Sequence, residues 1–424
     1  MHDIKFIKKE PKKFDQLLKK RNIVLRSDKL IKLHEKYLKY LNSKELLQEK
    51  RNKLSNSIAK LSKEKKQIEV DEIKEKVIII KEEIQELEDL SNNKFSELNE
   101  ILEKIPNILD EKVPEGSSEE NNKILKEVGV ITHKGFEPLD HVTLGEKLDL
   151  LDYKQASNIS GSRFSVLKSE LALLNRALIN YMLDEHTTKN GYEEYVVPEL
   201  VKSKALYGTG QLPKFKADLF STINDLWLIP TGEVSLTNLN RESVISSKDL
   251  PLRYTTFTNC FRAEAGSAGI DTKGLFREHQ FGKVELVSIT KPDLSEQELD
   301  RMINCVENIL KDLELPYRIS CLCSGDTGFS ASITYDFEVW MPGQKKFREV
   351  SSCSNCRDFQ SRRMKMRVKD KDNNLTFFPH TLNGSGLAIG RIIVAILENY
   401  QTKNGFINVP KVLRKYMRGI DIIR

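Results

Sequence analysis

"FRAEAGSAGIDTKGLFREHQFGKVE", residues 261–285, threads glycines between the cations Arg262, Lys273 and Arg277. Glycine tolerates tight backbone conformations, and cations between glycines suit a loop that closes over an anion. "RYTTFTNCFRAEAG" runs into it and "QFGKVELVSI" runs out, both strand-like, so the loop joins two strands. Working outward, "ASITYDFEVWM" and "KFREVSSCSN" read as another strand pair. "SELALLNRALINYMLDEHTTKNG" reads as an amphipathic helix stopped at Asn190-Gly191, followed by a strand "YEEYVVPEL" that reaches Pro198. "GLAIGRIIVAILENYQ" reads as a final helix. Runs of strands with helices around them predict an α+β domain on an antiparallel sheet.

The N-terminal quarter obeys a different period. From Asp28 to Ile105 there is neither proline nor glycine, so the two strongest helix breakers are missing. Leu33, Tyr40, Leu47, Leu54, Leu61 and Ile68 recur every seven residues, with Leu30, Tyr37 and Ile58 on the adjoining row. After a polar break near "KQIEVDE", Ile73, Ile80, Leu87 and Ile101 form one row and Val77, Ile84, Leu98 and Ile105 another. Two such seams predict an antiparallel coiled-coil hairpin over 28–105, about 60 Å long at a helical rise of about 1.5 Å per residue. Pro106 and Pro114 end it. Positions 28–66 hold 12 Lys/Arg against 5 Asp/Glu, net +7, while positions 69–104 hold 5 against 12, net −7. Opposite signs can pair the helices across the seam, and outward lysines of the first helix can also meet phosphates. The two readings are compatible.

The bulk numbers bound the rest. A chain of 424 residues holds two or three domains, and a net charge of +6 does not by itself mark a nucleic-acid binder. Six scattered cysteines fit a reducing compartment better than a disulfide framework. No apolar run approaches the roughly 20 residues of a membrane span, and the N-terminal stretch has no apolar signal-peptide core. The expected location is the cytoplasm, without membrane attachment. No Walker loop, Rossmann fingerprint, His-Glu-x-x-His or nucleophile elbow occurs, so a nucleotide would need another cradle.

The motifs, taken together, resemble a family. "FRAEAG…FREHQF" and "GSGLAIGR" are similar to the second and third motifs of class II aminoacyl-tRNA synthetases, and Pro198 matches the first. "PTGE", "KVE", "EVSSCSN" and "NGSG", behind the hairpin, resemble the bacterial-type seryl-tRNA synthetases nearly end to end. The resemblance implies a class II antiparallel-sheet catalytic domain over 111–424 containing the dimer interface. It implies a tRNA-binding domain over 1–110 carrying the hairpin arm. The implied reaction is ATP-dependent attachment of L-serine to tRNA(Ser), with tRNA(Sec) as a second expected substrate, through seryl-adenylate in a homodimer.

The resemblance also carries residue roles. Arg262 is expected at the α-phosphate, Glu264 at the adenine side and Phe281 stacked on the ring, with Ala263 beside them. "GSAGIDTKGL" would close over ATP and the acceptor end. Arg277 is expected near the substrate carboxylate and phosphate; Glu278 stands where the family more often has an apolar residue, and meets adenine through its backbone. Glu349 and Ser352, flanking Val350 and Ser351, resemble the ligands of a magnesium ion bridging ATP phosphates, and such hard oxygen donors suit that ion. Arg391 would face the adenine and γ-phosphate, and Arg262, Glu349 and Arg391 form the expected catalytic set. Serine would be read by Thr231, Gly232, Glu233, Glu285, Asn383 and Ser385, Gly232 replacing a frequent alanine. Cys321, Cys323, Cys353 and Cys356 could in principle supply four zinc thiolates, but "SSCSNC" belongs to the seryl pattern, so no structural zinc is expected. Two rivals are a carrier-protein ligase on the same catalytic fold, which would lack the arm, and a coiled-coil interaction protein with a decayed catalytic domain. Intact Arg262, Glu285, Glu349 and Arg391 oppose the second.

Overall fold

The computed structural model of the chain describes residues 1–132, 134–266 and 274–424. The chain divides into two compact units, Met1–Pro106 and Asn107–Arg424. No helix among the described residues is long and apolar enough to cross a membrane.

In the first unit, short helices Ile4–Lys9 and Pro11–Lys19 precede α1 (Ser27–Lys63) and α2 (Gln67–Leu102). Asp15 anchors the start of α1 by accepting from the Ser27 backbone N–H at 3.0 Å and the Ser27 hydroxyl at 3.1 Å. The turn is tighter than the polar break suggested, spanning only Glu64–Lys66. Lys65 takes the left-handed conformation (φ 58°), and Lys66 N–H reaches back to the Leu61 carbonyl, the hydrogen-bond closure of a Schellman cap. This corrects one seam position. Ile68 falls after the turn and is 80 % exposed, while Val70 is buried in its place. Val77, Ile80, Ile84 and Leu98 are buried as the period requires. Tyr37 and Phe95 pair across the hairpin at 5.2 Å, and Lys44 meets Glu88 at 3.7 Å.

The second unit is built on an eight-stranded sheet. Its strands are β1 (Lys123–Val128), β2 (Glu193–Glu194), β3 (Leu252–Phe261), β4 (Gln280–Thr290), β5 (Tyr317–Cys321), β6 (Ile333–Met341), β7 (Lys346–Arg357) and β8 (His380–Ala388). They lie in the order β1-β5-β6-β7-β8-β4-β3-β2. Every pairing is antiparallel except that of β2 with β3. Helices α3 (Ser169–Thr188), α4 (Glu233–Asn238), α5 (Ser295–Asp312), α6 (Phe359–Met364) and α7 (Ile389–Tyr400) surround it.

Alternation along β8 sorts the two faces. A side chain at Gly384 would strike Met302 of α5, and one at Gly386 would strike His186 of α3 and Val284. These glycines make room for the packed face. Asn383 and Ser385 point the other way, into a cavity. The apolar face is closed by fully buried Phe337, Leu382, Ile392 and Ile396, each such side chain contributing about 1.5–3 kcal/mol by leaving water.

Two boundaries differ from the sequence expectation. The strand expected over 192–200 pairs only at Glu193–Glu194, and Leu200–Lys202 pairs instead with Leu226–Leu228. Pro198 lacks the N–H that a continuous ladder would need. The last helix begins at Ile389, because Gly386 to Ala388 extend β8 through a bulge opposite Glu285 and Val284.

Candidate active site

The loop between β3 and β4 is clamped where it leaves the sheet. Arg262 N–H donates to the His279 carbonyl at 3.0 Å, and the His279 ring meets the Arg262 carbonyl at 2.9 Å. Residues 267–273 lie outside the described residues, and with them most of the stretch expected to close over ATP. On the described side, Glu264 adopts φ 50°, and Ala263 and Ala265 donate to Asp218.

A 270 Å³ cavity gathers most of the expected residues. Thr231, Glu233, Arg262, Glu264, Arg277, Glu278, Phe281, Glu285, Glu349, Val350, Ser352, Asn383, Ser385 and Arg391 all line it. A wider 690 Å³ cavity shares Thr231, Glu233, Arg262, Glu264, Arg277 and Asn383 with it. Gly232, Ala263 and Ser351 are outside both linings. The Ser351 hydroxyl instead donates to the Ser385 carbonyl at 2.6 Å. A methyl group at Gly232 would lie 3.1 Å from Glu285 Cβ and from Thr256 Cγ2, so alanine there requires the neighbours to yield by a few tenths of an ångström.

Cations and carboxylates are paired within the cavity. Arg277 meets Glu264 at 3.2 Å, and Arg391 meets the Glu349 carboxylate at 3.2 Å and its carbonyl at 2.8 Å. Arg262 donates to the Pro230 carbonyl at 3.2 Å, with its guanidinium 5.1 Å from the centre of the Phe281 ring. The Glu278 side chain turns to Ser165, whose hydroxyl donates to it at 2.5 Å, and burial pushes its pKa up to about 7.

A local irregularity aligns the expected metal ligands. Residues three apart on a regular strand face opposite ways. The register of β7 on β6 slips between Glu349, opposite Glu338, and Ser351, opposite Phe337. The extra residue, Val350, brings Glu349 and Ser352 to one face, with Asp336 opposite Ser352. Among the described residues no group of three His, Cys, Asp or Glu side chains could hold a metal by itself. A carboxylate and a hydroxyl facing this cavity are hard oxygen donors that would suit magnesium shared with phosphate and water. The cysteines are buried and have separate neighbours: Cys323 Sγ meets the Ser118 carbonyl at 3.3 Å, and Cys356 Sγ meets the Asn383 amide at 3.5 Å.

The serine-motif residues form a second cluster. Buried Glu285 bonds Lys283 Nζ at 2.5 Å and accepts the Thr231 hydroxyl at 2.6 Å, and Lys283 also donates to Thr231 Oγ1 at 2.8 Å. Glu233 Oε1 accepts from Gln360 at 2.6 Å and from Asn383 at 2.9 Å. Burial, reinforced by Glu285, raises the Glu233 pKa to about 7, while Gln360, Lys283 and Arg262 pull it down. Lys283, His279 and Gln360 were not singled out in the sequence. The two-residue spacing of Lys283 and Glu285 on a strand was a usable signal for the first; nothing marked Gln360.

Known proteins resemble this chain along its whole length. Residues 1–109 match the family model of the seryl-tRNA synthetase N-terminal domain, and residues 215–400 that of the tRNA synthetase class II core domain (G, H, P, S and T). The serine–tRNA ligase of Ehrlichia ruminantium (strain Gardel) is 49% identical over 428 residues, covering 100% of both chains. That of Maricaulis maris is 48% identical, again over 100% of both. The crystal structure of the Pyrococcus horikoshii seryl-tRNA synthetase complexed with ATP superposes with a TM-score of 0.90 at 36% identity, covering 100% of this chain and 99% of that one. A prolyl-tRNA synthetase of Giardia lamblia, 17% identical with a TM-score of 0.56 over 64% of this chain and 53% of its own, shares the fold. The chain therefore belongs to the seryl-tRNA synthetases, the class II ligases that join serine to tRNA with ATP.

Proposed function

We propose that the two clusters divide the family's reaction between them, the 270 Å³ cavity holding ATP on one side and serine on the other. The serine carboxylate attacks the α-phosphorus, the bond to pyrophosphate breaks, and seryl-adenylate forms. The terminal hydroxyl of the tRNA then attacks the seryl carbonyl and AMP leaves. Both steps depend chiefly on positioning and on fixed charge where negative charge develops. Arg262 serves the α-phosphate. Arg277 serves the carboxylate and phosphate, Phe281 and Glu264 the adenine, and Arg391 the adenine and γ-phosphate. Glu349 and Ser352 hold magnesium, which when bound offsets charge on the ATP phosphates.

The observation that carries the serine assignment is the charge inventory of the second cluster. Glu233 and Glu285 bring two carboxylates, and Lys283 bonds Glu285 directly. One uncompensated carboxylate remains for one ammonium, while Glu285 and Thr231 offer acceptors to a hydroxyl. A site built to bond a hydroxyl rejects the analogue lacking it by about 10⁴–10⁵.

Residues 1–110 are assigned to tRNA(Ser) binding through the arm and 111–424 to catalysis, with tRNA(Sec) a second acceptor and the cytoplasm the place of action. A homodimer is supported by β2 lying at one edge of the sheet among the described residues, beside Val196, 97 % exposed. Of all twenty amino acids, only serine is expected to drive efficient ATP–pyrophosphate exchange. Comparable exchange with threonine or alanine would overturn the assignment.

A further inference from the structure

Gln360 lies outside every motif, on the short helix α6, and is 1 % exposed. Its amide is used from both ends. Thr381 Oγ1 donates to Oε1 at 2.7 Å, while Nε2 donates to Glu233 Oε1 at 2.6 Å and to the Thr209 carbonyl at 3.2 Å. With the amide reversed, its oxygen would face the Glu233 carboxylate, so the network fixes one orientation. Asn383 donates to the same carboxylate oxygen from β8. Both donors therefore converge on Oε1. Among the described residues none donates to Oε2, and Glu233 lines the cavity.

We infer that Gln360 is a specificity-determining positioning residue: it holds Glu233 by one oxygen and leaves the other to receive the substrate ammonium. This rests on the assignment of Glu233 to serine. A glutamine is required because one side chain must accept from Thr381 and donate to Glu233. Methionine fills similar space but leaves a buried carboxylate and a buried hydroxyl without those bonds. Donation to a carboxylate also favours its ionised form. The groups acting on Glu233 are Glu285, which opposes ionisation, and Lys283 and Arg262, which favour it along with Gln360. Without Gln360 the carboxylate ionises only at higher pH, and an ammonium needs it ionised.

Steady-state ATP–pyrophosphate exchange of the full-length Gln360→Met protein, from pH 6 to 8.5, tests this. At neutral pH the KM for serine should rise about 10–100-fold, as for loss of a hydrogen bond to a charged group. The KM for ATP should stay within about twofold, since Gln360 does not line the cavity and its hydrogen bonds go to Thr209, Glu233 and Thr381, none of them assigned to ATP. The ascending limb of kcat/KM for serine should move to higher pH. An unchanged serine KM, equal changes for both substrates, or an unmoved pH limb would overturn the inference. Should Gln360→Met not fold, Thr381→Val, which removes only the hydroxyl that orients the amide, must give the same split and the same displacement; its failure to do so is equally fatal. Glu233→Gln separates the two levels. If it leaves the serine KM unchanged, the assignment of Glu233 is wrong; if it raises that KM while Gln360→Met does not, only the role of Gln360 is wrong.

Discussion

Arg262 is held by its backbone more than by its side chain. Its N–H and carbonyl are both taken by His279, while the guanidinium makes one 3.2 Å bond to the Pro230 carbonyl and rests over Phe281. A cation fixed at its root in this way can swing onto a phosphate without disturbing the sheet. Arg262→Ala should therefore lower adenylate formation by about 10²-fold or more, the scale of losing an oxyanion donor, with an unchanged thermal unfolding profile. Near-normal exchange in a folded variant would remove Arg262 from the α-phosphate. The residues of this site differ in how far the sequence announces them. Arg262, Glu349 and Arg391 stand in dense motifs, and Lys283 is recoverable from strand alternation with Glu285. Gln360 is not, because its importance comes from Glu233, 127 residues away on α4, and from Thr381 on β8, neither of which sequence spacing connects to it.

At the level of elements, periodicity was readable and its interruptions were not. The heptad rows locate both hairpin helices, and strand-like runs between turn residues locate β3, β4, β6 and β7. The turn at Lys65 is announced only roughly, by the polar break just after it, and the bulges at Val350 and Gly386 have no counterpart in the strand-like runs read from the sequence. The Val350 bulge matters most for chemistry, because it alone turns Glu349 and Ser352 to a common face. Ser352→Ala should then raise the magnesium concentration for half-maximal exchange by about 10–100-fold, the range seen when metal-site support is removed. Stringent removal of zinc should leave exchange intact. A magnesium titration unmoved by the substitution would detach Ser352 from the ion, and stoichiometric zinc whose loss abolishes activity would instead favour a cysteine site.

For the whole molecule, the division into two compact units, with the +7 and −7 helices confined to the first, predicts two separable tasks. Lys32, Lys36, Lys39, Lys53 and Lys60 are exposed on α1, off its Leu33–Leu61 seam. Lys44, by contrast, turns inward to Glu88, so part of the +7 helix is already matched by its −7 partner. Lys53 is also engaged, by Glu49 on its own helix at 2.6 Å, and an exposed pair of that kind is readily exchanged for a phosphate. Neutralising the exposed lysines should weaken tRNA binding, each lost phosphate contact reducing the log–log salt slope by roughly 0.7–0.9. Serine-dependent exchange without tRNA should barely change, because every residue assigned to adenylate formation lies beyond residue 106. Deleting residues 28–105 and bridging the gap carries the same reasoning to its limit: exchange retained, charging of tRNA lost. If the shortened protein charged tRNA at a normal rate, the hairpin would not be the tRNA-binding arm, and its opposite charges would serve only to join its own two helices.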